Sequence, residues 1–418
     1  KRHARARRPL TARGLACLLF GWSLASGTLY FAMAPDAGMG PGPESLNLAR
    51  TLAATGAFAN PYHALPTGPS AHMAPLYPLL MAAFIRLTNG WDAFSLAIIL
   101  WNLVAQATMV ASLPSLSEYL FGQRKPGIIA SVLFIALPLN LLWAQWDAIT
   151  VACGLTIFCL ATRRVAAASL RTDVVTGFGA GVLTLFSPTI VVPCVVWCAF
   201  VLRSATRPRS IRFVLAGGAA FVLTLTPWTI RNYTVFHSLV PLRDNFGLEL
   251  YVSNRDGAGP TYMENFTLNP NMPHPNSNVE EARLVRDMGE VAYNRGRQSI
   301  ALRWISQHPG EFIHLTALRI QRIWFPIREP LPISSYSVWT VTLLSLGGLV
   351  LLTIRKSHAL WFIVPALVLY PLPYYLTNND ARYRYPILWI SALCLGYACV
   401  SLADRLRARS TESAAAPR

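Results

Sequence analysis

The sequence predicts an all-α, polytopic membrane protein. Of its 418 residues, 53% are hydrophobic and only 13% are charged, whereas soluble globular chains carry about 25% charged residues. The apolar residues are gathered in repeated runs of roughly 17–25 residues, the length that a helix needs to cross a hydrocarbon core of about 30 Å. These observations exclude the soluble, disordered and disulfide-scaffold classes.

Ten membrane spans are predicted from the apolar runs, near residues 14–34, 92–122, 126–143, 147–163, 173–187, 189–203, 211–229, 336–354, 358–376 and 385–404. The net charge of +17 comes largely from Lys and Arg clusters between these runs, and such clusters stay in the cytoplasm. The first run follows the basic segment KRHARARRPLTAR, so we expect a membrane anchor there rather than a cleaved signal. Both termini are then cytoplasmic, and the positive charge needs no nucleic-acid partner.

Three parts follow from this topology. Residues 1–229 form a transmembrane module with a first outer loop at 35–91, residues 230–335 form an outer helical region, and residues 336–418 hold the last spans and a cytoplasmic tail. The segment PLYPLLMAAFIRLT is apolar but too short to span, so we expect an in-plane interfacial helix.

The outer region contains a helix start that the sequence predicts. Asn278 and Glu281 have the spacing of a capping box, which opens a helix from 279 towards His308, where Pro309 ends it. The segment 269–278 is rich in Pro and Asn and is predicted to be a loop able to cover a ligand.

Carboxylates near the outer surface are candidates for a general base. Asp36 and Glu44 lie on a Gly/Pro-rich segment after the first span, where a carboxylate could reach an acceptor hydroxyl at the level of lipid head groups. Asp147 begins the fourth predicted span, at a depth where an acid is costly unless it is paired or faces water. Ordinary exposed loop acids, and N-capping of the span by Asp147, are the alternative interpretations.

The segment NPYHALPTGPSAHMAPLYP is dense in proline and polar groups. His63 and His72 could bind a phosphate or an acceptor through their imidazoles, and solvated loop histidines are the alternative. Tyr62 in the same segment and Asn245, after the seventh span, are candidate contacts for the donor or the acceptor.

Four arginines on the outer side are candidate phosphate ligands: Arg231, Arg243, Arg382 and Arg384. A guanidinium group presents a fork of donors that matches phosphate oxygens. The alternatives are an interfacial anchor for Arg231, an ion pair with Asp244 for Arg243, and pairing with Asp380 for the last two arginines.

Taken in order, these segments resemble the fold C (GT-C) membrane glycosyltransferases, in the family 39-like group related to protein O-mannosyltransferases and lipid A aminoarabinose transferases. The resemblance is carried by Glu44 with LNLARTLAATGAFANPY, TGPSAHMAPLYPLLMAAF, Asp147, TPWTIRNYTVFHSLVPLRDNFGLEL, GEVAYNRGRQSIALRWISQHPGEF and RYRYP. It covers most of the chain. Many relatives have adjacent Asp-Glu acids, whereas here Asp36 and Glu44 are separated along the sequence.

The resemblance implies a GT-C-type fold and transfer of a sugar from a polyprenyl-phosphate donor, with inversion at the anomeric carbon. A carboxylate of the first outer loop, Asp36 or Glu44, would deprotonate or orient the acceptor, and Asp147 would be the second acid. His72 and the four arginines would hold the departing phosphate. A divalent metal ion, Mg or Mn, is left open as a cofactor.

We therefore expect a multi-pass glycosyltransferase of the cell envelope, in the inner membrane, acting at the outer face on a lipid, glycan or protein acceptor. The chain has no Gly-rich nucleotide-binding loop, which agrees with a lipid-linked donor. The alternative is a non-catalytic protein that binds lipid-linked sugars, or a flippase that transports them. A transporter would favour charges near mid-membrane, whereas the spans between 92 and 229 are almost uncharged.

Overall fold

The computed structural model describes residues 11–33, 42–137, 147–268, 272–327 and 332–415, and within them the chain is all-helical, as predicted. The α-helices of this part are α1 (Ala12–Met33), α2 (Pro43–Thr55), α3 (Leu76–Leu87), α4 (Trp91–Phe121), α5 (Lys125–Ala136), α6 (Ala148–Thr162), α7 (Leu170–Phe186), α8 (Val191–Leu202), α9 (Arg207–Phe236), α10 (Phe246–Ser253), α11 (Tyr262–Leu268), α12 (Val279–Met288), α13 (Glu290–Gln307), α14 (Pro309–Trp324), α15 (Pro332–Ile354), α16 (Leu360–Leu369), α17 (Leu372–Leu376) and α18 (Tyr385–Ala415). Short 3-10 turns occupy Val165–Ala167, Pro188–Ile190 and Ala381–Arg384.

Six helices in the described ranges are long and apolar enough to cross a membrane, by length and composition: α1, α4, α6, α9, α15 and α18. Shorter apolar helices are α3, α5, α8 and the pair α16 and α17. Each of the ten predicted spans overlaps a helix. The structure thus agrees with the predicted class of helical membrane protein, and the count of ten spans stays a prediction.

Helices at the periphery of the bundle expose apolar side chains. In the apolar part of α9 only 6% of the residues are buried, and Val214, Leu215 and Leu223 are each more than half exposed. A helix with so much apolar surface needs an apolar solvent. The lipid bilayer is therefore the environment that these helices require.

The bundle is built around α18, which packs against α5, α6 and α15. Two glycines permit this packing. A Cβ atom on Gly396 of α18 would lie 2.2 Å from the carbonyl oxygen of Pro126, and one on Gly348 of α15 would lie 2.0 Å from that of Cys394. Small residues at a crossing let helices in a membrane bundle approach closely. These contacts fix α18, and with it the 3-10 turn that precedes it.

A buried ion pair joins α7 to α9. The Asp173 carboxylate, in the first turn of α7, is fully buried and receives the guanidinium groups of Arg209 and Arg212 from α9. Further along the two helices Gly177 lies directly against Gly217. The two helices therefore pack with their backbones in contact, and the buried ion pair links them near the start of α7.

The described segment between α1 and α4 forms α2 and α3. Helix α2 begins after Gly42 with a proline in its first turn and ends at Gly56 in the left-handed conformation, as is common at helix ends. Arg86 of α3 donates to the carbonyl oxygens of Leu52 and Ala53, both at 3.1 Å. Helix α3 coincides with the segment predicted to lie in the membrane plane, and that orientation stays a prediction.

Between α9 and α15, helix α12 starts at the predicted position. The Asn278 side chain accepts hydrogen bonds from the backbone N–H groups of Glu280 and Glu281, at 3.0 and 3.2 Å. The predicted return contact of the capping box is wrong, because the Glu281 carboxylate instead binds Tyr293 and Arg297 on α13.

The single helix predicted from 279 to His308 is also wrong. Gly289 has φ of +81°, a conformation that only glycine adopts readily, and it separates α12 from α13. The break allows Glu290, the first residue of α13, to turn into the protein, where it is 3% exposed. The helix end before Pro309 is confirmed.

Close packing of α10 on α13 depends on Gly247. A Cβ atom there would lie 2.1 Å from the backbone oxygen of Asn294. The Asn294 side chain accepts from the Leu248 N–H at 3.1 Å and donates to the Asp244 carbonyl at 2.8 Å. Helix α13 therefore fixes the position of the segment 244–249.

Candidate active site

A cavity of about 450 Å³, lined by several charged and polar side chains, lies where the segments 42–75 and 243–274 meet the helical bundle. Its walls come from the start of α2, the loop before α3, the start of α6, the turn at 187–189, the segment 243–249, the segment around His274, and residues 370–386. Six of the predicted site residues line it: Glu44, His72, Asp147, Arg243, Asn245 and Arg382.

Glu44 lies in the first turn of α2 and is 6% exposed. Its Oε1 accepts a hydrogen bond from the Asn276 side chain, and its Oε2 is buried without a partner among the described residues. Burial raises the pKa of Glu44 to about 7, although its own backbone N–H and the nearby Arg382 favour the charged form. A carboxyl group with one unused oxygen and a pKa near neutrality can accept a proton from a substrate.

Arg243 is the cavity's least compensated cation. No carboxylate of the described residues lies within ion-pair distance, so the alternative pairing with Asp244 is not present. Its Nη2 lies 3.9 Å from the Met73 sulfur, and its Nε is buried without a described partner. A guanidinium group placed in this way is available for an anion.

Arg382 is held more firmly by its own turn. Asp380 caps the backbone N–H of Arg382 at 3.0 Å and approaches its Nε at 3.9 Å. The guanidinium group lies over the Tyr383 ring and donates to its hydroxyl at 3.2 Å. Tyr383 in turn stacks on Tyr374, with 4.3 Å between ring centroids, and both rings line the cavity.

Two buried histidines face the cavity beside Tyr62. The Tyr62 hydroxyl lies 3.2 Å from His72 Nδ1, and the Tyr62 ring contacts both His72 and His274 edge to face. Burial lowers the pKa of His72 well below its usual range and that of His274 to about 4. Burial therefore favours the neutral form of both imidazoles, in which each ring has one N–H donor and one nitrogen acceptor.

Asp147 and Glu249 add two more carboxylates. Asp147 precedes α6 but makes no side-chain cap to it, so the N-capping alternative is wrong. Glu249 accepts a hydrogen bond from Asn245 at 3.2 Å, and burial raises its pKa although Arg243 and Arg382 lower it.

Four predicted residues among the described ones do not line the cavity: Tyr62, His63, Arg231 and Arg384. Arg231 donates to the carbonyl oxygens of Ser70 and Phe58, at 2.7 and 2.8 Å. Arg384 is 2% exposed and donates to the Trp324 carbonyl and the Thr342 hydroxyl. His63 is exposed. Hydrogen bonds within the protein thus occupy both arginines, and their phosphate role stays a prediction that this geometry does not favour.

Sequence reasoning missed Glu249, His274 and Asn276. Glu249 was visible as an acid inside the apolar run FGLELYVS. His274 and Asn276 fall in the segment predicted to be a loop able to cover a ligand, and no spacing signal separated them from its other polar residues.

Asp36 lies outside the described residues. Within the described ranges, no group of three or more His, Cys, Asp or Glu side chains is arranged to hold a metal ion. Metal dependence therefore stays a prediction.

Comparison of the chain with protein-family models gave no match, and no curated protein matches its sequence. The resemblance to GT-C enzymes stays a prediction. The function is therefore argued from the cavity itself.

Proposed function

We propose that this protein is a membrane glycosyltransferase that moves a sugar from a polyprenyl-phosphate donor to an acceptor hydroxyl. The observation that carries the proposal is that one cavity holds both a carboxylate oxygen without a partner among the described residues, Glu44 Oε2, and an arginine without a described ion pair, Arg243. A transfer reaction whose leaving group is a phosphate needs a base at the acceptor and a cation at the departing oxygen.

In the proposed reaction the acceptor oxygen attacks the anomeric carbon of the donor sugar while its proton passes to Glu44 Oε2. The new glycosidic C–O bond forms as the bond between the anomeric carbon and the phosphate oxygen breaks. The electron pair leaves with the lipid phosphate, whose charge Arg243 and Arg382 stabilise. Attack opposite the leaving group inverts the anomeric centre, and the protein's main contribution is to align the two partners.

The remaining polar groups of the cavity would hold the two substrates. Carboxylates accept hydrogen bonds from hydroxyl groups, so Asp147 and Glu249 are assigned to sugar or acceptor hydroxyls, with Asn245 beside Glu249. His72 would donate to the phosphate. Asp36 remains the alternative base.

The proposed setting is the outer face of the inner membrane of the cell envelope. Ten spans in a GT-C-type arrangement, with both termini in the cytoplasm, follow from the charge pattern and the resemblance. The apolar tail of the donor would remain in lipid beside the bundle while its phosphate enters the cavity. The acceptor would be a lipid, glycan or protein.

The test is transfer of radiolabelled sugar from a panel of polyprenyl-phosphate donors by the purified protein in lipid bilayers. Removing a general base slows a reaction about 10²–10⁴-fold, so Glu44→Gln should lose turnover by that factor while donor binding persists. Arg243→Gln should weaken both turnover and donor binding. Glu118→Gln and Arg124→Gln, which alter an exposed ion pair away from the cavity, are the matched controls.

Three other outcomes would change the proposal. Loss of transfer in Asp36→Asn but not in Glu44→Gln would make Asp36 the base. Donor binding without transfer, in every variant and with membrane extracts as acceptor, would refute the enzyme and favour a binding protein. Movement of intact donor between bilayer leaflets would favour a flippase.

A further inference from the structure

Asn276 connects two groups of the cavity wall, Glu44 and His274, to the backbone of His63. Its Nδ2 donates to Glu44 Oε1, its Oδ1 accepts from the backbone N–H of His63 at 3.0 Å, and its own backbone N–H donates to His274 Nδ1 at 3.2 Å. A tight turn, in which the Ser277 and Asn278 N–H groups bond to the His274 carbonyl, holds the residue in place.

These contacts fix the orientation of the Asn276 amide. A backbone N–H can only donate, so the atom that faces His63 must be the amide oxygen, and the atom that faces Glu44 must be the NH₂ group. Glu44 Oε1 is then always an acceptor. When Glu44 carries a proton, that proton must be on Oε2, the oxygen without a described partner.

The same reasoning fixes the tautomer of His274. Its Nδ1 receives a hydrogen bond from the Asn276 N–H, so this nitrogen carries no proton in the neutral ring. The only ring donor is Nε2–H, on a side chain that lines the cavity. One asparagine therefore sets the protonation pattern of two neighbouring cavity groups.

We propose that Asn276 is the positioning residue of the candidate base: it holds Glu44 Oε1 so that Oε2 alone receives the acceptor proton. The proposal rests on the proposed function, in which Glu44 is that base. Besides the two histidines, the other charged and titratable groups that line the cavity are Asp147, Arg243, Glu249, Tyr262, Tyr370, Tyr374, Asp380, Arg382 and Tyr383. Asn276 differs from them because it contacts one named oxygen.

The sharpest variant is Asn276→Asp, which keeps the oxygen that serves His63 and replaces only the donor to Glu44. A lost hydrogen bond and a new like charge both disfavour ionised Glu44, so its titration midpoint should rise by at least about one pH unit. Asn276→Ala should move the midpoint in the same direction by less. Ser277→Ala, next in the chain and without a contact to Glu44, should leave it unchanged.

Infrared difference spectroscopy of the carboxyl band that disappears in Glu44→Gln measures the midpoint without any activity. In transfer assays at neutral pH, turnover should fall about fivefold when the midpoint rises by one pH unit from about 7, because the ionised fraction of Glu44 falls from about a half to about a tenth. Turnover should recover as the pH is raised, with donor affinity unchanged. Thermal unfolding of each variant confirms that it is folded.

An unchanged Glu44 midpoint in both folded Asn276 variants would overturn the proposal, as would a loss of turnover that is equal at every pH. If the wild-type protein transfers no sugar, the proposed function fails, and the infrared titration still decides whether Asn276 controls Glu44. If Asn276→Asp does not fold, Asn276→Ala carries the same measurement.

Discussion

Replacing Gly247 with alanine should push α10 away from α13. The added Cβ would lie 2.1 Å from the Asn294 carbonyl oxygen and 3.2 Å from Gln298 Cβ. A carbon and a carbonyl oxygen normally approach to about 3.3 Å, so one backbone must move by roughly 1.2 Å. The neighbouring atom is backbone and cannot rotate away. Overpacking of this kind typically costs about 1–3 kcal/mol.

The matched control is Gly296→Ala on α13, where an added Cβ would meet nothing within 4 Å. Alanine at such a helix position should instead stabilise the protein by about 0.4–1 kcal/mol. The two substitutions add the same methyl group and are therefore expected to act with opposite sign.

Thermal unfolding and amide hydrogen exchange measure the difference. The N–H of Leu248, bonded to Asn294, should exchange about tenfold faster in Gly247→Ala for a loss of 1.4 kcal/mol in local stability. If the two variants proved equally stable and equally protected, α10 would not pack on α13 as described. Because α10 carries Glu249, the Gly247 variant should also lose transfer activity.

Three further predictions concern charged groups. The rate of transfer should rise with pH through about 7, because burial raises the pKa of Glu44 to that value and the base acts only after losing its proton. Initial rates measured across neutral pH test this. Burial likewise raises the pKa of Glu290 to about 8, so its contribution to stability is complete below 4.5 and is lost as pH rises through 8. Glu290→Gln should therefore flatten the fall in unfolding temperature towards alkaline pH. Asp173→Asn removes the buried partner of two arginines and should lower the free energy of unfolding by about 3–5 kcal/mol, whereas Glu118→Gln, in an exposed pair, should lower it by less than about 1 kcal/mol.

Each of these predictions can fail visibly. If the transfer rate rose with pH near the ordinary pKa of glutamate, the result would contradict a buried carboxylate as the base. An unchanged pH profile of stability in Glu290→Gln would mean that another group titrates. Equal losses from Asp173→Asn and Glu118→Gln would contradict the difference in burial between the two pairs.

The lengths of the apolar runs, and the residues at the ends of these runs, made most helices predictable. The span predicted at 92–122 is the helix Trp91–Phe121, which Gly122 ends in the left-handed conformation. The break at Gly289 was not predictable in the same way. A glycine inside an amphipathic pattern is tolerated in a helix, and only packing of α13 against the cavity wall decides that this one has a positive φ.

Residue type alone could not separate the arginines that line the cavity from those that do not. Arg382 and Arg384 have the same chemistry and lie two residues apart on a 3-10 turn, where about three residues complete a revolution. Two such residues point in different directions, so one lines the cavity and the other is buried against Trp324. Asn276 was missed for another reason: its contact with Glu44 joins residues 232 apart in sequence.

The order of synthesis decides when the cavity can exist. Glu44 precedes five of the six long apolar helices of the described chain, and Arg382 stands in the 3-10 turn that leads into the last one, α18. A nascent chain must therefore insert nearly all of its spans before the acid and the arginine can meet. Until then Glu44 lacks the wall that buries it, and its pKa should remain near that of a solvated glutamate. Translation that stops before the 3-10 turn Ala381–Arg384 would leave a product that lacks Arg382 and in which the cavity has never formed.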